Sequence, residues 1–491
     1  MDYLDPRKRR RHTILLYLGY VLIGIAIIIA TIVLLYQANG FGFNKKGTVI
    51  QNGLVFISSQ PRPALIYIDG RLQNPKTNTR VALPEATYNL RLQRSGYLDW
   101  QRKITVEGGR VQHYDYPFLI PKTLTTAKLL TYEQTPTIFS QSPDKRYLLV
   151  GQPSNFTSFD VFDLKNPAKA PTAVSLPATL LASAKTSQSW QALEWADDSQ
   201  HLLLQHHFDN SSEYILLDRE TPDQSLNLSQ TLNTKISRIT LVDRKYDHFY
   251  IYDSQSSTLS QATLKNPTAT AVLSGIISYQ SYGTDSLLYA TAVGASAGKV
   301  RIELKAGDKT YTIRSVAANT NYLLDITKYN DIFYAVVGAS SENKVYLYRD
   351  PVGQIGSDVF KSPAPTQLLH VDQPNFVGFS STAQYVVAEN GTQFGVYDIE
   401  NKRGYSYTAQ QVVDGPQLHA SWMDGNRLTY VSSGQQVIFD YDYQNVHKLG
   451  KANPSFMPIF APDYKYSYTI APGSAAQATL AQTGLLIPSE L

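Results

Sequence analysis

The chain is 491 residues long, 43% hydrophobic and 11% aromatic, with a formal charge of +4 and no cysteine. This is apolar content for two or more packed domains and too much for a disordered stalk, and without cysteine there are neither disulfide staples nor an acylated-cysteine anchor. Arg7, Lys8, Arg9, Arg10 and Arg11 carry five of the positive charges, so the remainder is close to neutral and nothing points to nucleic acid.

Residues 13–36, TILLYLGYVLIGIAIIIATIVLLY, are uncharged and apolar on every side. A helix needs about 20 such residues to cross a bilayer, and a soluble amphipathic helix would show a polar stripe. The basic run Arg7–Arg11 precedes the segment, whereas no charge follows until Lys45 and Lys46. By the positive-inside rule, residues 1–12 are expected to be a cytoplasmic tail, 13–36 a single-pass signal anchor in the cell membrane, and the bulk of the chain extracytoplasmic. A cleaved signal peptide would have a shorter apolar region and a small-x-small site, and the run instead ends in Leu34-Leu35-Tyr36-Gln37.

Residues 37–47, with three glycines and two asparagines, read as a flexible linker. Short strand patterns follow: Gly53 to Ser59, Ala64 to the Asp69-Gly70 turn, Tyr88 to Gln93, Gln101 to the Gly108-Gly109 turn, and Gln112 to Phe118. Alternation at Tyr88, Leu90 and Leu92, and again at Ile104 and Val106, marks sandwich strands with one buried face. The order of markers is Ser58-Ser59-Gln60-Pro61, Ile66-Tyr67-Ile68-Asp69-Gly70, Leu83-Pro84, Gly96-Tyr97 and Trp100. It resembles the PEGA domain, a small surface-exposed β-sandwich of bacterial and archaeal envelope proteins, over residues 48–119. Arg62-Pro63 and Glu85 stand where that family usually has glycine. The resemblance implies an envelope module.

Beyond a second linker at 120–130, a unit recurs over 131–491: a loop, a Tyr/Leu/Val-rich strand, a polar turn, and a second strand often ending in Asp. Its instances start near Ser142, Trp195, Asp247, Asp285, Asp331, Ala383, Asp424 and Ala461. Units of this size cannot bury both faces of their own sheet, so they must stack, and a ring protects their edges. Ser142-Pro-Asp-Lys-Arg and Ala461-Pro-Asp-Tyr-Lys resemble the S-P-D-G-K turn of TolB-type and WD40-like propellers, with Gly replaced in both. The expected fold is therefore an all-β ectodomain, a small β-sandwich plus a β-propeller of seven or eight blades, on one N-terminal transmembrane helix. Gln477 to Leu486 is the candidate closing strand of the ring.

No catalytic constellation emerges, and no catalytic, metal or cofactor residue is expected. His206 and His207 are adjacent on a strand and point to opposite faces, so they cannot chelate one metal together. Asp197, Asp198, Asp209 and Glu213 lack the spacing of a calcium loop. Gly294-Ala-Ser and Gly338-Ala-Ser-Ser read as hairpin turns, not nucleophile elbows, and neither a P-loop nor G-x-G-x-x-G is present. The expectation is a non-enzymatic envelope binding protein whose propeller is a platform for a surface polymer or protein partner. Two alternatives stand beside it: a hydrolase or lyase acting on envelope polysaccharide or peptide from the propeller funnel, and a scaffold for an envelope assembly. Ligand, oligomeric state and a monoderm or diderm envelope are left open.

Overall fold

A computed structural model of the chain describes residues 6–38, 41–43, 49–183, 187–356, 362–414, 419–474 and 476–490. It divides into two compact units, residues 1–123 and 124–491.

The first unit opens with the helix Pro6–Ala38. Within it Arg10–Tyr36, 27 residues, is long and apolar enough to cross a membrane, and none of it is buried against protein. Its one hydroxyl in the apolar centre, Thr31 Oγ1, donates to Ile27 O at 2.8 Å and so leaves no unmet donor. Met1 to Asp5 of the expected tail, and residues 39, 40 and 44–47 of the expected linker, lie outside the described residues.

Two four-stranded sheets follow. In one, Val49–Ile57 is flanked by Phe41–Phe43 and Thr79–Pro84 and pairs in parallel with Val111–Tyr114; the other runs in the order Arg71–Lys76, Leu65–Ile68, Ala86–Gln93, Trp100–Val106. Val55 and Ile57 from the first sheet and Ile66, Leu90, Leu92, Trp100, Ile104 and Val106 from the second are buried almost completely. Trp100–Val106 alternates buried and exposed residues along its whole length, the period-2 pattern of a half-buried strand. Asp69 and Gly70 both have positive φ, 48° and 77°, as a two-residue type I′ hairpin between Ile68 and Arg71 requires. The sequence reading is corrected at two places. Phe41–Phe43, assigned to the linker, is an edge strand. The strands Arg71–Lys76 and Thr79–Pro84 went unread, because the polar run around Asn74-Pro75-Lys76 has the composition of a loop.

The second unit contains eight four-stranded antiparallel sheets among the described residues. They are the blades of a propeller: blade 1 at 139–175, blade 2 at 188–227, blade 3 at 238–274, blade 4 at 276–317, blade 5 at 322–370, blade 6 at 376–408, blade 7 at 421–451 and blade 8 at 459–484. The eight repeats read from sequence fall one to a blade, covering the second and third strands in six and the second strand alone in blades 4 and 8. First strands of successive blades meet at the axis. Gln141 Nε2 donates to Phe460 O at 2.7 Å, Leu241 N to Glu194 Oε2 at 2.9 Å, and Phe379 N to Asp325 Oδ2 at 3.1 Å.

Ring closure also differs from expectation. Ala478–Gly484 is the third strand of blade 8, and the fourth is Thr126–Tyr132, from the other end of the unit. Residues 126–130 therefore belong to the propeller and not to a linker. The closing strand is fastened onward to blade 1 by Tyr132 Oη, which donates to Asp160 Oδ2 at 3.0 Å. A strand from the other end of the unit closes the ring with backbone hydrogen bonds and covers the edge of Ala478–Gly484.

Candidate functional site

The acidic residue that recurs at the end of the third strand has a structural role. Asp163 accepts from Lys165 N and, in a bidentate pair, from Arg146 Nε and Nη2 at 3.1 and 2.9 Å; that pairing holds its carboxyl at about 2. Asp218 accepts from Glu220 N, Thr221 N and Gln200 Nε2, and Asp398 from Glu400 N and Asn401 N. Each carboxylate caps the turn that leaves its strand. In blades 1 and 2 it also ties that turn to the one joining the first two strands.

The residues weighed for metal or catalysis do not converge. Asp197 and Asp198 sit at the turn before His201–Phe208, whereas Asp209 and Glu213 lie beyond its other end. His206 is completely buried and His207 partly exposed, as opposite faces of one strand demand. His206 Nδ1 lies 2.8 Å from Glu213 Oε1, and Nε2 3.2 Å from Gln188 Oε1. Glu213 also accepts from Ala182 N and Asn227 Nδ2, and Trp190, Phe156 and Phe208 crowd the imidazole. The network is a closed, satisfied core cluster. Gly294 has a φ of +67° and lies in the first of the expected hairpin turns; in the second, Gly338 and Ala339 end the strand Ile332–Ala339 and Ser340-Ser341 begin the hairpin turn. Among the described residues no group of three or more His, Asp and Glu side chains could hold a metal ion.

Three further carboxyls, one fully and two partly buried, are turned into seams between blades. Glu194 holds Leu241 N across the seam from blade 2 to blade 3, Asp325 holds Phe379 N from blade 5 to blade 6, and Glu389 holds Ala420 N from blade 6 to blade 7. Burial raises all three, Asp325 to about 6 and Glu389 to about 8, against the pull of the backbone N–H groups they accept. Sequence reasoning could not single them out, because their distinction lies in burial and in partners on the next blade.

The one charged constellation that draws three blades together is built on the turns that the S-P-D-G-K resemblance marked. Lys145 and Tyr464 occupy the glycine position of that turn in blades 1 and 8, with φ of 59° and 56°. A side chain there costs about 1 kcal/mol of backbone strain. The two side chains meet: Lys145 Nζ donates to Tyr464 Oη at 2.8 Å and to Met423 O of blade 7 at 2.8 Å. Asp424 next to Met423 is buried and paired with Arg427. Burial lowers the Lys145 ammonium, and the Asp424 carboxylate opposes that. Arg146, one residue on, lies over the Tyr147 ring, which Arg219 also covers at 3.6 Å. These hydrogen bonds and cation–π contacts tie turns of blades 1, 7 and 8 to one another.

Residues 52–119 match the model of the PEGA domain. No curated protein matches the chain by sequence. Solved structures similar to it include the Cps50 (Swd1) β-propeller domain of Myceliophteria thermophila, at 11% identity and a TM-score of 0.39, over 73% of this chain and 99% of that one. The Dos1 propeller is similar at 12% identity and a TM-score of 0.44, over 74% and 95%. An oligogalacturonate lyase in complex with manganese is similar at 12% identity and 0.41, over 74% and 100%. The chain thus carries a PEGA domain at residues 52–119, followed by an eight-bladed β-propeller.

Proposed function

We propose that this chain is a membrane-anchored binding protein of a bacterial-type cell envelope, with its propeller presented outside the cytoplasm to a surface polymer or a protein partner. The observation that carries the reading is the helical segment Arg10–Tyr36, uncovered along its length, at the head of two β domains. In water such a surface would cost about 25 cal/mol for every Å² of apolar area left exposed, and a bilayer removes that cost. Arg7 to Arg11 before it favour an N-terminus held in the cytoplasm. A binding role without catalysis is favoured by the propeller's own side chains. Glu194, Asp325 and Glu389 hold backbone groups of neighbouring blades, and His206 is enclosed by its partners.

Two steps test this. Alkaline extraction of membranes should leave the full chain in the pellet, and removal of residues 1–36 should release it. The released protein should then be retained by isolated envelope material. Recovery of a soluble chain shortened at its N-terminus would refute the anchor; failure of envelope fractions to retain the released protein would refute the binding role.

A further inference from the structure

The seams between blades are not alike. Between blades 4 and 5 the buried facing residues include Leu288, Ile302, Leu304, Ala335 and Val337, and between blades 8 and 1 they include Leu148, Val150, Tyr468, Ile470 and Leu480. In blade 7, Leu428, Tyr430, Val437 and Phe439 share the face toward blade 6, where Tyr430 and Phe439 pack on Phe394. Strand alternation therefore turns Arg427, Thr429, Val431, Gln436 and Ile438 toward blade 8. In blade 8, Tyr468 and Ile470 face blade 1, so Ser467, Thr469, Thr479 and Thr483 face blade 7. Two contacts confirm the facing. Thr469 Oγ1 donates to Lys451 O at 2.8 Å, and a Cβ on Gly450 would lie 2.7 Å from Thr483 Oγ1.

This seam is lined by buried polar groups, and two of its side chains are unmet. Gln436 is fully buried with neither Nε2 nor Oε1 hydrogen-bonded, and Ser467, 1% exposed, has no partner for its Oγ. Unpaired buried polar groups are rare in native interiors because each gives up its water without replacement. Separation of the seam returns that water, whereas separation of an aliphatic seam exposes oil-like surface. The Lys145 side chain crosses the same seam, reaching from blade 1 past blade 8, through Tyr464, to the Met423 carbonyl of blade 7. We propose that the ring opens between blades 7 and 8, and that Lys145 is the latch that holds this seam shut. Blade 8 is also the blade whose outer strand, Thr126–Tyr132, continues directly from the first unit. A pull or a docking event on the preceding chain therefore acts on the blade that borders the weak seam.

The chain has no cysteine, so a single introduced thiol reports opening without background. In the full chain held in detergent, Thr429→Cys reads the seam from blade 7 and Thr469→Cys reads it from blade 8. Val337→Cys, equally buried in the seam between blades 4 and 5, is the control. Global unfolding exposes all three alike, so only local opening separates them. Labelling of both seam thiols should be at least ~10-fold faster than the control under native conditions. Lys145→Gly, which removes the latch while relieving the positive φ, should speed seam labelling further, and Gln436→Leu should slow it. Equal rates at the three positions would overturn the proposal. Seam labelling indifferent to Lys145→Gly would overturn the role given to the latch.

Discussion

Replacing Glu389 by Gln should remove a loss of propeller stability that accompanies rising pH. Glu389 is completely buried in the seam toward blade 7, accepting from Ala420 N and Gly391 N, and burial moves its carboxyl from 4.5 to about 8. Its folded-state value is raised, so the folded protein keeps a proton that the unfolded chain has already released. The stabilisation this gives is complete below the unfolded value of about 4.3 and is lost as pH climbs through the folded value near 8. At 1.36 kcal/mol per unit the ceiling on that loss is ~5 kcal/mol, of which ~1 kcal/mol falls between pH 7 and 8.5. Asp325, raised to about 6, and Glu194, also raised by burial, share the sign, whereas His419 and His447, lowered by burial, oppose it. The window from pH 7 to 8.5 brackets the Glu389 value and lies above that of Asp325. Gln cannot accept at both oxygens and forfeits one backbone hydrogen bond, about 1 kcal/mol. Urea unfolding across that window should therefore find the wild type losing stability with rising pH and Glu389→Gln staying flat. The variant should already be the more stable protein at pH 7, by up to ~3 kcal/mol, and its margin should widen by ~1 kcal/mol toward pH 8.5. Parallel curves for the two proteins would refute the buried-proton reasoning.

Two further outcomes follow from the packing. Trp100→Ala removes a side chain 1% exposed that packs edge-on against Tyr116 at 5.9 Å, a loss of about 3–5 kcal/mol in a domain too small to absorb it. Calorimetry should show one unfolding transition abolished and the propeller's transition unmoved; a uniform shift of all transitions would contradict the two-unit organisation. A fragment starting at residue 133 lacks the outer strand of blade 8 and exposes the edge of Ala478–Gly484, whereas one starting at residue 124 retains it. The longer fragment should be monomeric with a cooperative melt and the shorter one should aggregate, as judged by light scattering; equal behaviour would dismiss the closing strand.

What was legible in the sequence follows from how locally each feature is encoded. The membrane-length helix needs only an unbroken apolar run. The second and third strands of the blades carry their own apolar runs, such as Leu148-Leu149-Val150 and Val386-Val387-Ala388, and the second strand was readable in all eight blades and the third in six. Some inner strands are short, two residues at Ser421–Trp422 and at Ile459–Phe460, and no periodicity develops over that length. The closing strand escaped because its partner lies about 350 residues away, at Ala478–Gly484, a pairing that leaves no local mark. Asp163, Asp218 and Asp398 were visible as a recurrence, but only their hydrogen bonds reveal turn caps and not catalysts. The absence of glycine at Lys145 and Tyr464 was likewise visible. That the two side chains touch was not, because it depends on the ring bringing blade 8 beside blade 1.

The central claim, an anchored chain with its β domains outside the cytoplasm, is tested most directly by thiol accessibility in intact cells, since the chain supplies no cysteine of its own. Asp2→Cys reports the N-terminal side of the helix and Arg71→Cys, on an exposed edge strand, the other side. The account predicts that a membrane-impermeant maleimide labels residue 71 in intact cells or osmotically opened envelopes, and residue 2 only after the membrane is dissolved. Labelling of residue 2 with protection of residue 71, or loss of residue 2 from the mature chain, would contradict it.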